Sequence, residues 1–531
     1  MPRRTLAWLL GVSALTLLGA AVLYSAPTKE KDKDYEMVRL VVDTLHEVRE
    51  RYVTPIDEDR ERQLVSDMLK GGLERLDPHS TFIDPEELKQ FSKQSKGKFG
   101  GIGVHVSADP QTHNQLTVIS PMPGTPAYKA GVLAGDAIVK IDGKPTSTMR
   151  LNDAVDMITG DPGQPIQLTL RHPGAVDTVD VNLVREEIHV PTVMGDLRKP
   201  DDPEHWDFMY DKTNKIGYFR ITNFGETTAD ETRAAVEELE KQGVRGLVID
   251  LRQNPGGLLN QAVNVCDLFL EQGVIVSTKG RNHKDEVYEA KPEGTLLLPA
   301  DKHPMVVLVN RYSASASEIV SACLQDHGRA VVVGERSYGK GSVQNIIKMQ
   351  NDTSALKLTT ASYWRPSGRN IHHFPDPKDF TAAGIDPDEW GVLPSGCKLT
   401  PAAIDDARQA GVPDDVLAKL KPFPDKSFLQ EADYLAELAK FLTPDEMTKY
   451  KAKLLYHAER EYKAPLTDEE RAAYMTWRME RDVVHGAQQP EKKDDKPPFT
   501  DRVMEKAVEY LKAQIEKEGA AAPAPPEGRD A

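Results

Sequence analysis

Three serines alternate with alanines directly after a continuous apolar run. The apolar run is residues 305–309 (MVVLV), which is typical of a strand buried between covering layers, and residues 310–319 (NRYSASASEI) follow it. A turn from a strand into a helix can expose a hydroxyl nucleophile beside backbone N–H groups. The pattern therefore predicts a nucleophilic serine in this turn. It also fits a plain helix cap, for which Ser317 ahead of Glu318 is the candidate.

A lysine between two glycines supplies a candidate base. It is Lys340, in residues 337–344 (SYGKGSVQ), and it follows a strand-like run at residues 331–335 (VVVGE). A lysine accepts a proton from serine only where desolvation lowers its pKa toward neutrality, and a Ser-Lys pair is a known variant of the hydroxyl-plus-base arrangement. A single lysine is more often a solvated surface charge, and His327 beside Asp326 offers an alternative base. The glycine frame and the preceding serine motif favour Lys340.

A second glycine-rich loop leads into a strand near the start of a β-rich region. Residues 99–104 (FGGIGV) are followed by residues 120–127 (SPMPGTPA) and 135–143 (GDAIVKIDG), and this series resembles a PDZ domain. Its glycines would let backbone N–H groups converge on a terminal carboxylate, and the open strand edge after them would add a peptide as a further strand. The expected peptide-binding residues are Gly101, Ile102, Gly103, Val104 and, from a helical stretch on the other wall, Val155. The alternative is a tight turn beside a helix that only packs.

Further motifs extend the resemblance beyond the PDZ domain. The segments LDPHS at residues 76–80 and DLRQNPGG at residues 250–257 precede the serine run and the GKGSVQ loop in one fixed order. Together these motifs resemble the carboxyl-terminal processing proteases, which are tail-specific Ser-Lys peptidases of bacterial envelopes and thylakoid lumens. The resemblance covers about residues 35–371 and implies a crotonase- or ClpP-like α/β peptidase core.

The same resemblance implies a role for each site residue. Ser315, the middle serine, would be the nucleophile, Lys340 the base, and Gln344 the residue that orients the lysine amine. The oxyanion hole would be formed by backbone N–H groups, those of Ala316 and of either Gly256 or Gly257. Asp326 matches an acidic position with a supporting role. No cofactor is implied.

Composition and ligand spacing narrow the function further. The chain has 531 residues and a net charge of −16, from 67 Lys plus Arg and 83 Asp plus Glu, so it lacks the basic excess usual in nucleic-acid binders. Its three cysteines cannot form a disulfide framework. His372 and His373 are adjacent rather than four residues apart on a helix, so no metal motif competes with the Ser-Lys interpretation.

The periodicity of apolar residues, together with the resemblance, implies a multidomain α+β architecture. Its parts are an N-terminal helical region (35–86), the PDZ β domain (97–188), the peptidase core (205–392), a helical insertion (394–490), a C-terminal helix (499–518) and a disordered tail (519–531). The helical insertion departs from the family pattern. It therefore bears on substrate access and oligomeric state rather than on the chemistry.

The amino-terminal segment differs in hydropathy from the rest of the chain. Arg3 and Arg4 precede an uncharged run from residue 5 to residue 28, which at about 1.5 Å per residue is long enough to cross a hydrocarbon core of roughly 30 Å. A cleaved signal peptide and a retained membrane anchor both fit residues 1–28. Either one predicts export to the cell envelope, as a periplasmic protein that residues 5–28 tether to the inner membrane if they are retained.

The motifs together predict an exported serine endopeptidase that recognises the carboxyl-terminal tails of proteins through its PDZ domain. The expected partners are protein substrates with accessible tails, and not nucleic acid; a homo-oligomer through the N- and C-terminal helices is a further expectation. Two alternatives stay open. One is an inactive PDZ scaffold that binds tails without cutting them, and the other is an acyl-transfer enzyme for small substrates, which would leave the PDZ domain unexplained.

Overall fold

The computed structural model describes most of the chain between Lys29 and Ala521. The described residues are 29–109, 115–281, 283–291, 296–349, 351–373, 390–421, 423, 428–484 and 499–521. The predicted export segment at residues 1–28 lies outside them. Among the residues that are described, no helix is long and apolar enough to cross a membrane.

The N-terminal region is helical and contributes one strand to the peptidase. Its elements are helices α1 (Lys29–Arg51), α2 (Glu58–Glu74) and α3 (Pro85–Lys96) and strand β1 (Thr81–Ile83). Helix α2 begins after Asp57, whose carboxylate accepts a hydrogen bond of 2.8 Å from the backbone N–H of Arg60. Helix α1 leaves Met37, Leu40 and other apolar side chains exposed.

The PDZ region is an antiparallel sheet flanked by two short helices. Its elements are β2 (Lys98–Gly101), β3 (Val104–Asp109), β4 (Gln115–Pro121), α4 (Pro126–Lys129), β5 (Ala137–Ile141), β6 (Lys144–Pro145), α5 (Leu151–Ile158), β7 (Pro165–Arg171), β8 (Val179–Val184) and β9 (Glu186–His189). The strand order is β3-β4-β5-β7-β8, β6 pairs with β5, and β2 pairs with β9. Strand β3 therefore lies at one end of the sheet, next to the glycine-rich loop.

The peptidase core is built on a mostly parallel sheet. Its strands are β10 (Val193–Met194), β13 (Met209–Asp211), β14 (Ile216–Ile221), β15 (Gly246–Asp250), β18 (Met305–Val309) and β19 (Val331–Gly334), and the hairpin β11 (Leu197–Lys199) and β12 (Asp202–Asp207) lies beside it in sequence. Strands β14, β15, β18 and β19 are parallel neighbours. Every residue of β15 and β18 is buried, as their apolar runs predict. The helices of the core are α6 (Thr228–Lys241), α7 (Leu259–Asp267) and α8 (Ala316–Asp326).

A second, antiparallel sheet carries the lysine loop. Its strands are β16 (Gly273–Gly280), β17 (His283–Ala290), β20 (Ser342–Met349) and β21 (Ser354–Trp364). Strand β1 joins it as an edge strand in the order β1-β21-β16-β17, and β20 pairs with β21. Thr81 of β1 lies opposite Lys357 of β21. The N-terminal region therefore adds an edge strand to the sheet that contains β20, the strand after the lysine loop.

The stretch after the core is mostly helical. It contains β22 (Cys397–Lys398), α9 (Pro401–Gln409), α10 (Asp414–Lys419), α11 (Glu431–Leu438), α12 (Pro444–His457), β23 (Glu459–Arg460) and α13 (Asp468–Asp482). These elements have their own apolar core around the fully buried Tyr434. The stretch also contacts the PDZ region, because the backbone N–H of Val484 donates a hydrogen bond of 2.9 Å to Ser120 Oγ.

The C-terminal helix α14 (Arg502–Ala521) packs against the parallel sheet. Its residues Ala507, Leu511 and Ile515 are buried in a cluster with Tyr218 and Val248. The helix extends to Ala521, so the predicted helix end at residue 518 and the predicted tail start at residue 519 are corrected. Alanine is the strongest helix former, which accounts for the extra residues. The remainder of the predicted tail lies outside the described residues.

Candidate active site

The middle serine of the run lies at the first turn of helix α8. The helix begins at Ala316, and Ser315 is its N-cap residue with φ of 55° and ψ of −114°. The prediction of Ser317 as the cap was wrong, because the backbone turns into the helix two residues earlier. A non-glycine residue with positive φ is rare and is often found at functional sites, where surrounding contacts hold the strain. Ser315 thus has a strained strand-to-helix conformation of the kind that holds a nucleophile, and only 8% of its surface is exposed.

Hydrogen bonding separates the three serines of the run. The hydroxyl of Ser313 donates to the carbonyl oxygen of Leu251 at 2.8 Å, and that of Ser317 donates to the carbonyl oxygen of Asn254 at 3.0 Å. The hydroxyl of Ser315 donates to no acceptor in the described part of the chain. The two outer serines therefore fasten the turn to the neighbouring loop, and Ser315 is left as the hydroxyl that can react.

That neighbouring loop brings two glycines against the serine. A Cβ atom added to Gly256 would lie 2.7 Å from the Cβ of Ser315 and 3.0 Å from the backbone nitrogen of Ala316, so only glycine fits there. The N–H of Gly256 donates to Asn254 Oδ1 at 2.8 Å. The carbonyl oxygen of Gly256 accepts from Phe224, and within the described ranges the N–H of Gly257 has no acceptor. The loop therefore has one backbone donor, on Gly257, that is not already used.

A buried carboxylate joins the serine turn to the lysine loop. Glu318 Oε2 accepts hydrogen bonds from the backbone N–H groups of Ser315 at 2.8 Å and Lys340 at 2.7 Å. Glu318 Oε1 accepts from the N–H of Gly339 at 2.6 Å and from the hydroxyl of Ser337 at 2.5 Å. Burial raises the pKa of Glu318 to about 7, although all four donors favour the carboxylate. We call this set of contacts the Glu318 clamp.

The environment of Lys340 weakens its hold on a proton. Burial lowers the pKa of the Lys340 amine, and the nearby positive charge of Lys357 lowers it further, while Glu318 opposes both effects. A desolvated lysine beside a second cation is a recognised way to obtain an amine that acts as a base. The position of Lys340 in the glycine loop is fixed by the Glu318 clamp through its own backbone N–H.

The two other candidate residues, Gln344 and His327, lie on different elements of the core. Gln344 lies at the start of β20, and its amide nitrogen donates to Ser342 Oγ at 2.8 Å and Thr359 Oγ1 at 3.3 Å. His327 is at the opposite end of α8 from Ser315, about 18 Å away at about 1.5 Å per residue, and its Nε2 lies 2.7 Å from the carbonyl oxygen of Val274. The alternative of a histidine base is therefore wrong.

Asp326 also lies at the far end of α8 from the serine. Its carboxylate is bound by Arg365, with Nε to Oδ2 at 2.9 Å, and by the backbone N–H of Ser367 at 3.0 Å. Burial would raise the pKa of this carboxyl, but the Arg365 guanidinium outweighs burial and holds the pKa below its usual value. Asp326 therefore anchors the loop after β21 and does not reach the reacting atoms.

The peptide groove expected in the PDZ region would lie between strand β3, at one end of the sheet, and helix α5. Ile102 is fully buried in the PDZ core, while Val155 and Leu151 on α5 are exposed. The carbonyl oxygens of Ile102 and Gly103 accept from Ala127 and Met122. Their N–H groups donate to no acceptor among the residues the structure covers, so they are available to a terminal carboxylate.

Two features of the site could not be inferred from the sequence pattern. The sequence marks Glu318 only as the residue after a candidate helix cap. A buried carboxylate that binds a loop about 20 residues downstream has no local sequence signature. The LDPHS segment was recognised only as a motif, yet its Asp77 reaches β21 through a hydrogen bond of 3.0 Å from Thr359 Oγ1. The part of the chain that the structure describes holds no group of three or more His, Cys, Asp or Glu side chains that could bind a metal ion.

The fold and the site define a serine peptidase core joined to a PDZ domain. The family model described as "Peptidase family S41" matches residues 215–389, and the one described as "PDZ domain" matches residues 117–172. The carboxy-terminal-processing protease of Bartonella bacilliformis is 41% identical over 351 residues, which are 65% of this chain and 75% of that protein. The carboxy-terminal processing protease CtpA of Bacillus subtilis is 33% identical over 404 residues, 75% of this chain and 78% of that protein.

Among solved structures, the photosystem II D1 C-terminal processing protease is 29% identical to this chain. The match covers 66% of this chain and 85% of that protease, with a TM-score of 0.35. The identity to the two bacterial relatives and the share of their length that is covered show the family. This chain belongs to peptidase family S41, among the carboxyl-terminal processing proteases, and is a serine peptidase of the Ser-Lys type.

Replacing Glu318 with glutamine tests the Glu318 clamp. The amide NH₂ group would face two donors that have lost their acceptor, each at a cost of about 1–3 kcal/mol. We expect the free energy of unfolding to fall by about 2–5 kcal/mol and kcat to fall at least about a hundredfold, measured by urea denaturation and peptide hydrolysis. Glu271→Gln, at an exposed position, is the matched control. Wild-type kcat and stability in Glu318→Gln would contradict the clamp.

Proposed function

We propose that Ser315 and Lys340 carry the peptidase reaction and that the PDZ groove selects protein substrates by their carboxyl-terminal tails. The single observation that carries this proposal is the Glu318 clamp, because it ties the strained Ser315 turn and the Lys340 loop to one carboxylate. The partially desolvated amine of Lys340 supports its role as the base.

The reaction follows from the placement of these groups. Neutral Lys340 accepts the proton of Ser315 as Oγ attacks the scissile carbonyl, and the ammonium then gives that proton to the leaving amine. The N–H groups of Ala316 and Gly257 stabilise the oxyanion, and Gly257 is preferred to Gly256 because the Gly256 N–H already donates to Asn254. Water then cleaves the acyl-enzyme, with Lys340 again as the base. Gln344 orients the amine of Lys340.

Tail recognition follows from the PDZ groove. In the loop that begins at Gly101, the N–H groups of Ile102 and Gly103 have no acceptor among the described residues. Together with the N–H of Val104 they would bind the terminal carboxylate. The exposed Val155 would contact an apolar last side chain. A cleft of about 1170 Å³ lies between the start of the PDZ region, at Phe99 and Gly100, and the tip of the β20–β21 hairpin, at Asp352. It is lined by neither the proposed carboxylate-binding N–H groups nor the proposed catalytic pair.

Ser315→Ala and Lys340→Ala test the reaction directly. We expect each to lower kcat/KM by at least about a thousandfold on an unfolded polypeptide with an apolar carboxyl terminus, measured by mass spectrometry of the fragments. Lys348→Ala, an exposed lysine on the same hairpin, is the control. Turnover at the wild-type rate by either variant would contradict the mechanism, and tail binding by the wild-type chain without turnover would favour the scaffold alternative.

Val155→Asp tests tail recognition separately from chemistry. A carboxylate in the groove would repel the terminal carboxylate and an apolar last residue, so we expect KM for the tailed polypeptide to rise at least about tenfold with kcat little changed. Asp156→Ala, at the exposed neighbouring position, should leave both constants unchanged. A substrate with a carboxyl-terminal amide should show a smaller difference in KM between wild type and Val155→Asp, because only the contact with the apolar last residue is then disfavoured. Equal KM values for wild type and Val155→Asp on the free-acid tail would refute groove recognition.

We further propose that the chain acts in the cell envelope, exported by residues 1–28 and tethered to the inner membrane by residues 5–28. The support is the run of apolar residues after Arg3 and Arg4 and the bacterial relatives of the family. Fractionation of cells should place the full chain with the membrane and a chain without residues 1–28 in the cytoplasm. Membrane association of both forms would contradict the tether.

Self-association through the N-terminal helices is the remaining part of the proposal. Helix α1 exposes Met37, Leu40 and Val41 on three or four residue spacing, while the apolar face of α14 is already buried against its own sheet. These observations favour α1 over α14 as the proposed pairing surface. We expect Leu40→Glu to dissociate the oligomer in sedimentation experiments, whereas Glu50→Lys on the same exposed helix should not. An unchanged sedimentation coefficient for Leu40→Glu would exclude α1 as the interface.

A further inference from the structure

The LDPHS motif lies beside the active site although the reaction described above does not use it. Strand β1 follows the motif directly and pairs antiparallel with β21, so that Ile83 lies opposite Ala355. Ser80 Oγ accepts a hydrogen bond of 3.0 Å from the backbone N–H of Thr359 on β21. Two separate contacts, one through a strand and one through a side chain, therefore hold this segment against the strand that neighbours Gln344.

Asp77 is the acceptor at the centre of these contacts. Its carboxylate accepts from the N–H groups of His79 at 2.8 Å and Ser80 at 3.0 Å, and from the hydroxyls of Ser80 at 2.5 Å and Thr359 at 3.0 Å. Burial would raise the pKa of Asp77, but the hydrogen bonds from Ser80, His79 and Thr359 outweigh it and hold the pKa below its usual value. Asp77 is therefore ionised and can only accept hydrogen bonds.

The ionised Asp77 decides what Thr359 can do next. A threonine hydroxyl has one proton, and Thr359 gives it to Asp77. Its oxygen can then only accept, and it accepts from Gln344 Nε2 at 3.3 Å. The other hydrogen of Nε2 goes to Ser342 Oγ at 2.8 Å. Both hydrogens of the Gln344 side-chain amide are therefore donated, one to Ser342 and one to Thr359.

We propose that Asp77 is a positioning residue that acts through Thr359 to fix the side-chain amide of Gln344, so that its carbonyl oxygen is the atom offered to the amine of Lys340. A flipped amide would need the Thr359 hydroxyl to donate to Gln344 Oε1, and that proton is already held by Asp77. The inference rests on the proposed roles of Lys340 and Gln344. It assigns the LDPHS segment a part in the chemistry that is transmitted over 282 residues of sequence.

The charged groups facing Lys340 agree with this placement. The pKa of His79 is lowered by burial and then by the Lys340 cation, which puts the LDPHS segment within electrostatic range of the amine. Lys357, opposite Thr81 in the β1–β21 pair, adds positive charge, and Glu318 is the carboxylate that acts on Lys340. Lys340 also helps to lower the pKa of His372, and Asp77 faces His79 and His372. Among these cations an oriented amide oxygen is a neutral acceptor that can hold the ammonium in place.

Thr359→Val tests the inference because it removes the hydroxyl and leaves the Asp77 turn intact. We expect kcat to fall about tenfold with KM for the tailed polypeptide unchanged. An oxygen that accepts from an ammonium raises the pKa of the amine, so its loss should also move the acid limb of the kcat profile to lower pH. Thr359→Ser keeps the hydroxyl and should restore both the rate and the limb. A purely structural role for Thr359 would lower the rate without moving the limb.

A double-variant cycle makes the result specific to Gln344. Gln344→Ala and Gln344→Ala with Thr359→Val should have the same kcat, because Thr359 acts through Gln344. Multiplicative losses, or a wild-type kcat and acid limb in Thr359→Val, would overturn the inference. Thr359→Ala removes the same hydroxyl and decides the question if Thr359→Val does not fold. Ser315→Ala and Lys340→Ala in the same assay separate the two proposals, since their activity would instead contradict the catalytic pair itself.

Discussion

The site depends on one buried carboxylate. Placing the Glu318 carboxylate out of water costs several kcal/mol, and four hydrogen bonds from the turn and the loop offset that cost. The same hydrogen bonds hold Ser315 in its strained backbone conformation and fix the position of the glycine-flanked Lys340 loop. Other hydrogen bonds also hold the lysine loop, since the N–H of Tyr338 donates to the carbonyl oxygen of Ser313 at 3.0 Å and that of Ser337 to the carbonyl oxygen of Val392 at 3.1 Å. Glu318 adds the contacts that fix the backbone of Gly339 and Lys340 relative to the Ser315 turn.

Other parts of the chain support this arrangement from outside. The parallel sheet places the ends of β15 and β18 side by side, which brings the glycine loop against the Ser315 turn. Asp501, at the start of α14, binds Arg252, and Arg252 binds Asp250 at the end of β15. The helical stretch reaches the lysine loop as well, since Arg336 is stacked between Trp390 and Tyr456 at 3.4 and 4.5 Å from their ring centroids. The helical stretch and the C-terminal helix thus stabilise loops of the active site.

The sequence allowed the parts with local signatures to be predicted. The PDZ loop, the buried strands and the serine and lysine turns each combine a short spacing with a plain physical requirement. Contacts between distant segments had no such signature: Glu318 looked like an ordinary residue of a helix start, and Asp77 meets Thr359 only because β1 pairs with β21. The cap was misplaced on Ser317 because cap propensity alone does not register that Ser315 can be held at positive φ by tertiary hydrogen bonds. Similarly, the buried face of α14 could have served an oligomer as well as its own sheet.

The proposed catalytic pair requires Glu318 to hold the partly desolvated Lys340 where its amine can act as the base for Ser315. The most direct measurement is the pH dependence of the second-order rate constant with which a sulfonyl fluoride modifies Ser315, in the wild-type chain and in Lys340→Ala. We expect the wild-type rate to rise through one ionisation with a pKa below the usual lysine value of about 10.4, and Lys340→Ala to lose both the rate and that ionisation. Equal rates for the two chains across the pH range would contradict the proposed catalytic pair.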